Sequence, residues 1–264
     1  MSGKQPTVLA LDFDGVICDG LIEYFQTAWR AYCQLWQPSD PTPPRGLAEQ
    51  FYQLRPVVET GWEMPVLLHA ILSGFSETEI LTHWSAIAPQ QAEASGLTPN
   101  TIVATVDRIR DHWIDTDLED WLAQHRFYPG VIDRLQHTLN SSVYPVIITT
   151  KEGRFVRQLL QQQQVDLPAT QIFGKEVKQP KSKTLQNLLN QLSEEGNEPI
   201  RIWFIEDRFK TLQAIQSQPN LNSIELFLAD WGYNTLNDRT LAEQDSRIHL
   251  LSLTTFAQEY AKWL

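Results

Sequence analysis

Two aspartates one position apart, Asp12 and Asp14, stand at the end of the apolar stretch VLALDFDG, and Gly15 follows them at once. Burying such carboxylates at a strand tip costs several kcal/mol unless positive charge sits with them. Three other stretches carry matching groups just past an apolar run or ahead of a helical one. VIITTK brings Thr149, Thr150 and Lys151; KQPKSKTL brings Lys178, Lys181 and Lys183; IWFIED brings Glu206 and Asp207. Acids, hydroxyls and lysines without histidine or cysteine form the donor set of a hard cation, which favours Mg²⁺ over zinc.

Other chemistries lack their residues. His69, His83, His112, His125, His137 and His249 show no HxxxH spacing, and the chain has no GxxxxGKS loop, GxGxxG turn or GxSxG elbow. A balance of 21 Lys+Arg against 32 Asp+Glu, net −11, argues against a nucleic acid or an anionic membrane held on a basic surface. Any anion site must therefore rest on local cations. Cys18 and Cys33 form neither a metal pair nor a disulfide framework, MSGKQPT carries no apolar leader, and no run of 18 apolar residues occurs, so a soluble cytoplasmic protein is expected.

The elements that must position these groups follow from periodicity. Short apolar, β-branched runs at Val8–Phe13, Tyr144–Thr149, Ile200–Ile205, Ile224–Ala229 and Ile248–Leu251 have the length of buried strands. Helical patterns separate the last four, among them Gly153–Val165 and Ser182–Leu192, which predicts a parallel, Rossmann-like α/β sheet. Between the first run and the second, helical patterns dominate: Leu21–Trp36, Leu47–Val58, Met64–Leu72, Glu77–Ile87 and Asn100–Gln124. Six of the nine tryptophans fall there, enough aromatic bulk for a separate core. The expected organisation is a core domain of residues 1–20 and 126–264, interrupted by an all-helical insert at 21–125.

In order and context, Asp12-Phe13-Asp14-Gly15-Val16, Thr149 with Lys151, Lys181, and Glu206-Asp207 resemble the four motifs of the haloacid dehalogenase superfamily of phosphohydrolases. Tyr128-Pro129-Gly130-Val131 and Trp231-Gly232-Tyr233 resemble its connecting segments, and the insert resembles the helical cap of the phosphoglycolate phosphatase and β-phosphoglucomutase-like branch. The resemblance implies that Asp12 is the nucleophile toward phosphorus and Asp14 the general acid and base. It implies Mg²⁺ held by Asp12, the Asp14 carbonyl and Asp207, with Glu206 a ligand through water or an orienting group. Thr149 and Lys181 would steady the phosphoryl group, and Gly15, Thr150 and Lys151 would line the phosphate.

Two departures stand out. Ser182 follows Lys181 where the family has proline, with Lys178 as a rival, and Thr211 replaces a second aspartate after motif four. In the insert, Arg55 is a candidate cation for a second anionic group or else a surface arginine; Tyr24 and Arg30 offer the same two readings, and His69 reads as a core histidine. The implied activity is Mg²⁺-dependent hydrolysis of a small phosphorylated metabolite, phosphoglycolate or a sugar phosphate. A phosphosugar mutase and a non-catalytic regulatory protein are the alternatives. Oligomeric state is not legible.

Overall fold

The computed structural model describes residues 5–195 and 199–264; the first four residues of the expected core domain, and residues 196–198, lie outside the described residues. The chain divides into two compact units, one running to Asp19 and resuming at Phe127, the other Gly20–Arg126.

The first unit begins with β1 (Val8–Leu11) and β2 (Cys18–Asp19). After β3 (Arg126–Phe127) it continues through α7 (Val131–Leu139), β4 (Tyr144–Ile148), α8 (Gly153–Gln162), β5 (Ile172–Phe173) and α9 (Lys181–Glu195). It ends with β6 (Ile202–Glu206), α10 (Phe209–Gln216), β7 (Glu225–Ala229), α11 (Leu236–Gln244), β8 (Ile248–Leu251) and α12 (Leu253–Phe256). Six strands form one parallel sheet in the order β5-β4-β1-β6-β7-β8, while β2 and β3 form a separate pair.

Both faces of the sheet are covered, which is why its strands read as near-continuous apolar runs rather than alternating ones. On one face Val8, Ala10, Val146, Ile148, Phe204, Leu226 and Leu228 join a core with Leu185 and Leu188 of α9 and Leu212 and Ile215 of α10. On the other, Trp203 meets Tyr260 and Trp263 at ring-centroid distances of 5.7 and 5.6 Å. Each such aliphatic or aromatic side chain contributes about 1.5–3 kcal/mol.

β1 lies between β4 and β6, so the chain crosses to one side of it and later to the other. Such a reversal leaves a crevice at the carboxyl end of the central strand, where ligands bind in open α/β sheets.

The second unit holds α1 (Leu21–Trp36), α2 (Leu47–Leu54), α3 (Glu63–Leu72), α4 (Glu77–Ala94), α5 (Pro99–Thr116) and α6 (Leu118–Ala123). α1 packs on α3 and α5, and α3 on α4. Trp84, Trp113 and Trp121 are buried, and Trp29, Tyr32, Trp36 and His69 stack in series at 5.1, 5.2 and 4.6 Å. Glu23 is wholly buried and bonded to Arg110 at 2.7 Å. No helix among the described residues is long and apolar enough to cross a membrane.

Several elements differ from the sequence expectation, among them the pattern at Leu47–Val58, whose helix ends at Leu54 before a 3₁₀ turn over Arg55–Val57. The pattern at Asn100–Gln124 is two helices, because Asp117 leaves helical geometry (φ −153°, ψ 74°) and its carboxylate accepts from the Asp120 N–H to start α6. α4 runs on through Pro89 to Ala94, with non-helical geometry at His83. β5 was not expected: two residues are too short to show a period, and only pairing of Ile147 with Ile172 makes them a strand.

Candidate active site

Strand register builds the site. Leu11 is level with Ile147 of β4 and Ile205 of β6, so the next residues of the three strands emerge together at one sheet edge. The Asp12 N–H donates to the Ile205 carbonyl at 2.9 Å, extending the ladder one residue and pinning Asp12 at the crevice. β6 delivers Glu206 and Asp207, and α9 begins with Lys181.

Asp12, Glu206 and Asp207 each place a carboxylate oxygen within 4.8 Å of the other two, and all three residues are buried, at 6%, 0% and 1% exposure. Lys181 Nζ bridges two of them, 2.7 Å from Asp12 Oδ2 and 2.7 Å from Glu206 Oε2. Their remaining oxygens are held from the backbone. Asp12 Oδ1 accepts from the Phe13 N–H at 2.7 Å, Glu206 Oε1 from the Arg208 N–H at 3.0 Å, and Asp207 Oδ2 from the Tyr233 N–H at 2.8 Å.

Three acids against one lysine leave the cluster short of positive charge. Burial pushes Asp12 up to about 7, against the pull of Lys181 and with help from the Glu206 charge. Burial also raises Glu206 and Asp207. For Lys181 burial works downward, but the Asp12 and Glu206 carboxylates outweigh it and the ammonium is held above its ordinary value. A buried, all-oxygen, net-negative cluster of this kind fits a hard divalent cation such as Mg²⁺.

The Asp14 carboxylate is not one of these three; it pairs with Lys151 Nζ at 3.0 and 3.3 Å. Thr149 is buried, its N–H donating to the Phe173 carbonyl and its Oγ1 accepting from the Lys151 N–H at 3.1 Å; Thr150 is exposed. Of the two rival lysines, Lys181 reaches the carboxylates, while Lys178 sits exposed in a left-handed turn at φ 51°. Gly15 also lies in the left-handed region, at φ +84°, and a Cβ there would overlap the Asp207 carboxylate. Gly232 presses on Asp207 from a second direction, so the two glycines let the loops close around that one side chain.

The clamp on Asp207 went unassigned in the sequence. Asn234 Nδ2 donates to the Asp207 carbonyl at 3.1 Å and to the Ala229 carbonyl at 2.7 Å, and Arg208 Nη1 donates to the Tyr233 carbonyl at 2.7 Å. Trp231-Gly232-Tyr233 was visible as a segment after a strand, but no spacing rule links it, or Asn234 beyond it, to Asp207. Arg55 belongs to the helical unit, on a 3₁₀ turn, where Nη1 donates to the Val58 carbonyl at 3.0 Å and the guanidinium lies 4.9 Å from the Tyr24 ring centre.

No protein-family model and no curated protein sequence matches this chain. Solved structures do. A haloacid dehalogenase-like family hydrolase from Streptococcus pneumoniae aligns over 94% of both chains, with TM-score 0.54 and 17% identity. The chain has the haloacid dehalogenase-like fold. A predicted phosphatase from Clostridium acetobutylicum aligns over 96% of this chain and 97% of its own, with TM-score 0.57 and 14% identity. A predicted phosphoglycolate phosphatase from Haemophilus somnus covers 88% of both, with TM-score 0.54 and 14% identity. In this haloacid dehalogenase-like core the carboxylate cluster occupies the carboxyl edge of the central strand.

Proposed function

We propose that the protein is a Mg²⁺-dependent phosphatase of a small phosphorylated metabolite, acting through a phosphoryl group carried by Asp12. The observation that supports this reading most is the buried cluster of Asp12, Glu206 and Asp207 bridged by Lys181.

Asp12 is fixed by the Phe13 N–H and Lys181 Nζ, which orient its carboxylate. A carboxylate oxygen attacks phosphorus, the bond from phosphorus to the ester oxygen breaks, and Asp14 passes a proton to that leaving oxygen. A water then attacks the same phosphorus, Asp14 takes the water's proton, and the bond from Asp12 to phosphorus breaks to release inorganic phosphate. Thr149 Oγ and the Lys151 ammonium serve the phosphoryl oxygens, Lys151 moving to them from Asp14, and Gly15 leaves room for the phosphate. Mg²⁺, held by Asp12, Asp207 and the Asp14 carbonyl with Glu206 behind them, would supply charge neutralisation as the phosphoryl group transfers. Phosphoglycolate and sugar phosphates are the candidate substrates, and Arg55 of the helical unit is the candidate cation for a second anionic group.

The test is phosphate release from a panel of phosphorylated metabolites with and without Mg²⁺, comparing wild type with Asp12→Asn. Release that needs the metal and vanishes in the variant supports the reading. Release undiminished in Asp12→Asn sinks it, and turnover only with a bisphosphate activator moves the assignment to the mutase.

A further inference from the structure

The helical unit holds a pocket lined by two arginines. α1 and α5 are joined through Glu23 and Arg110, yet elsewhere between them a cavity of about 620 Å³ opens, within the range of small-molecule pockets. Its exposed lining is polar, with Arg30, Gln34, Arg108, His112 and Thr116, and the buried Ile109 and Trp113 lie among them.

The arginines carry the argument. Arg110 spends its guanidinium on Glu23, through Nε at 2.7 Å and Nη2 at 3.2 Å. Arg108, two positions away on the same helix, donates instead to an amide oxygen, Gln34 Oε1, at 2.8 Å. Arg30 lies 3.9 Å over the Trp113 ring centre, and its one hydrogen bond among the described residues, to Gln26 Oε1, is 3.4 Å long. Among the described residues neither Arg30 nor Arg108 has a carboxylate partner, in a chain with 32 acids, although Asp111 and Asp115 share α5 with Arg108. Each guanidinium has five N–H donors, so most of those beside the cavity remain for a ligand.

We propose that this cavity binds a phosphate dianion, either free or borne by a small molecule. Two guanidinium forks from two helices match a doubly charged group with several acceptor oxygens. Arg30 already rests over the Trp113 ring, which restricts its side chain before a ligand arrives. The site draws only on residues of the helical unit and stands whether or not the core is a phosphatase.

The test uses full-length protein labelled with 5-fluorotryptophan, with the Trp113 fluorine resonance assigned through Trp113→Phe. Titration with inorganic phosphate and with phenylphosphonate should shift that resonance saturably. Arg108→Gln and Arg30→Gln, exposed substitutions that leave the melting temperature in place, should each weaken binding at least about tenfold. Tighter binding of phenylphosphonate identifies an organic phosphate as the ligand, and equal binding identifies inorganic phosphate. No saturable shift with either probe, or a shift that survives both substitutions together, overturns the proposal.

Discussion

Asp12→Asn in protein stripped of divalent metal should raise stability, although it removes the proposed nucleophile. The folded state lifts the Asp12 carboxyl from 3.8 to about 7, chiefly through burial. An acid raised on folding binds its proton more tightly in the folded chain, so stability is full below about pH 4 and falls as pH rises toward 7. A rise of about three pH units, at ~1.4 kcal/mol each, makes the loss about 4 kcal/mol. Asparagine resembles the protonated carboxyl in shape and has no charge to bury. With chelator present, the variant should match wild type near pH 4 and exceed it at pH 8 by a few kcal/mol, or on the order of 10 °C in melting temperature. Paired denaturation curves from pH 4 to 8 measure this. Parallel profiles, or a variant less stable than wild type at pH 8, would refute the claim that the cluster lacks positive charge.

Gly15→Ala combines a left-handed backbone with overlap on Asp207 and should cost about 2 kcal/mol or more by denaturant titration, together with weakened Mg²⁺ binding by calorimetry. Arg110→Met takes the guanidinium from the fully buried Glu23 and should cost about 3 kcal/mol, most of it recovered in the double variant with Glu23→Leu. Asn234→Ala deletes two buried hydrogen bonds, to the carbonyls of Asp207 and Ala229, and should cost about 2 kcal/mol while lowering metal affinity. An unchanged metal affinity there would show that Asp207 holds its place without the clamp.

The sheet was legible because its strands are buried on both faces, so residues 8–11, 202–205 and 226–229 stand out as unbroken apolar runs. β5 was not, since it exists only through its partner strand. The site acids were legible because a parallel sheet brings strand ends to one edge, which turns Asp12, Glu206 and Asp207 from scattered letters into neighbours. The parts that escaped reading act by side chain to backbone across long separations, such as Asn234 on Asp207. The pairing of Arg30 with Trp113 escaped for the same reason, since helix crossing and not helix period brings them together.

The central claim, that Asp12 carries the phosphoryl group, is tested most directly by acid-quenching the protein during turnover, reducing it with tritiated borohydride, which displaces the phosphate from an acyl phosphate, and mapping the tritiated peptide. The account predicts label on the peptide that holds Asp12, reduction of that residue to homoserine, and no label in Asp12→Asn. Label on another residue, or sustained turnover by Asp12→Asn, would contradict it.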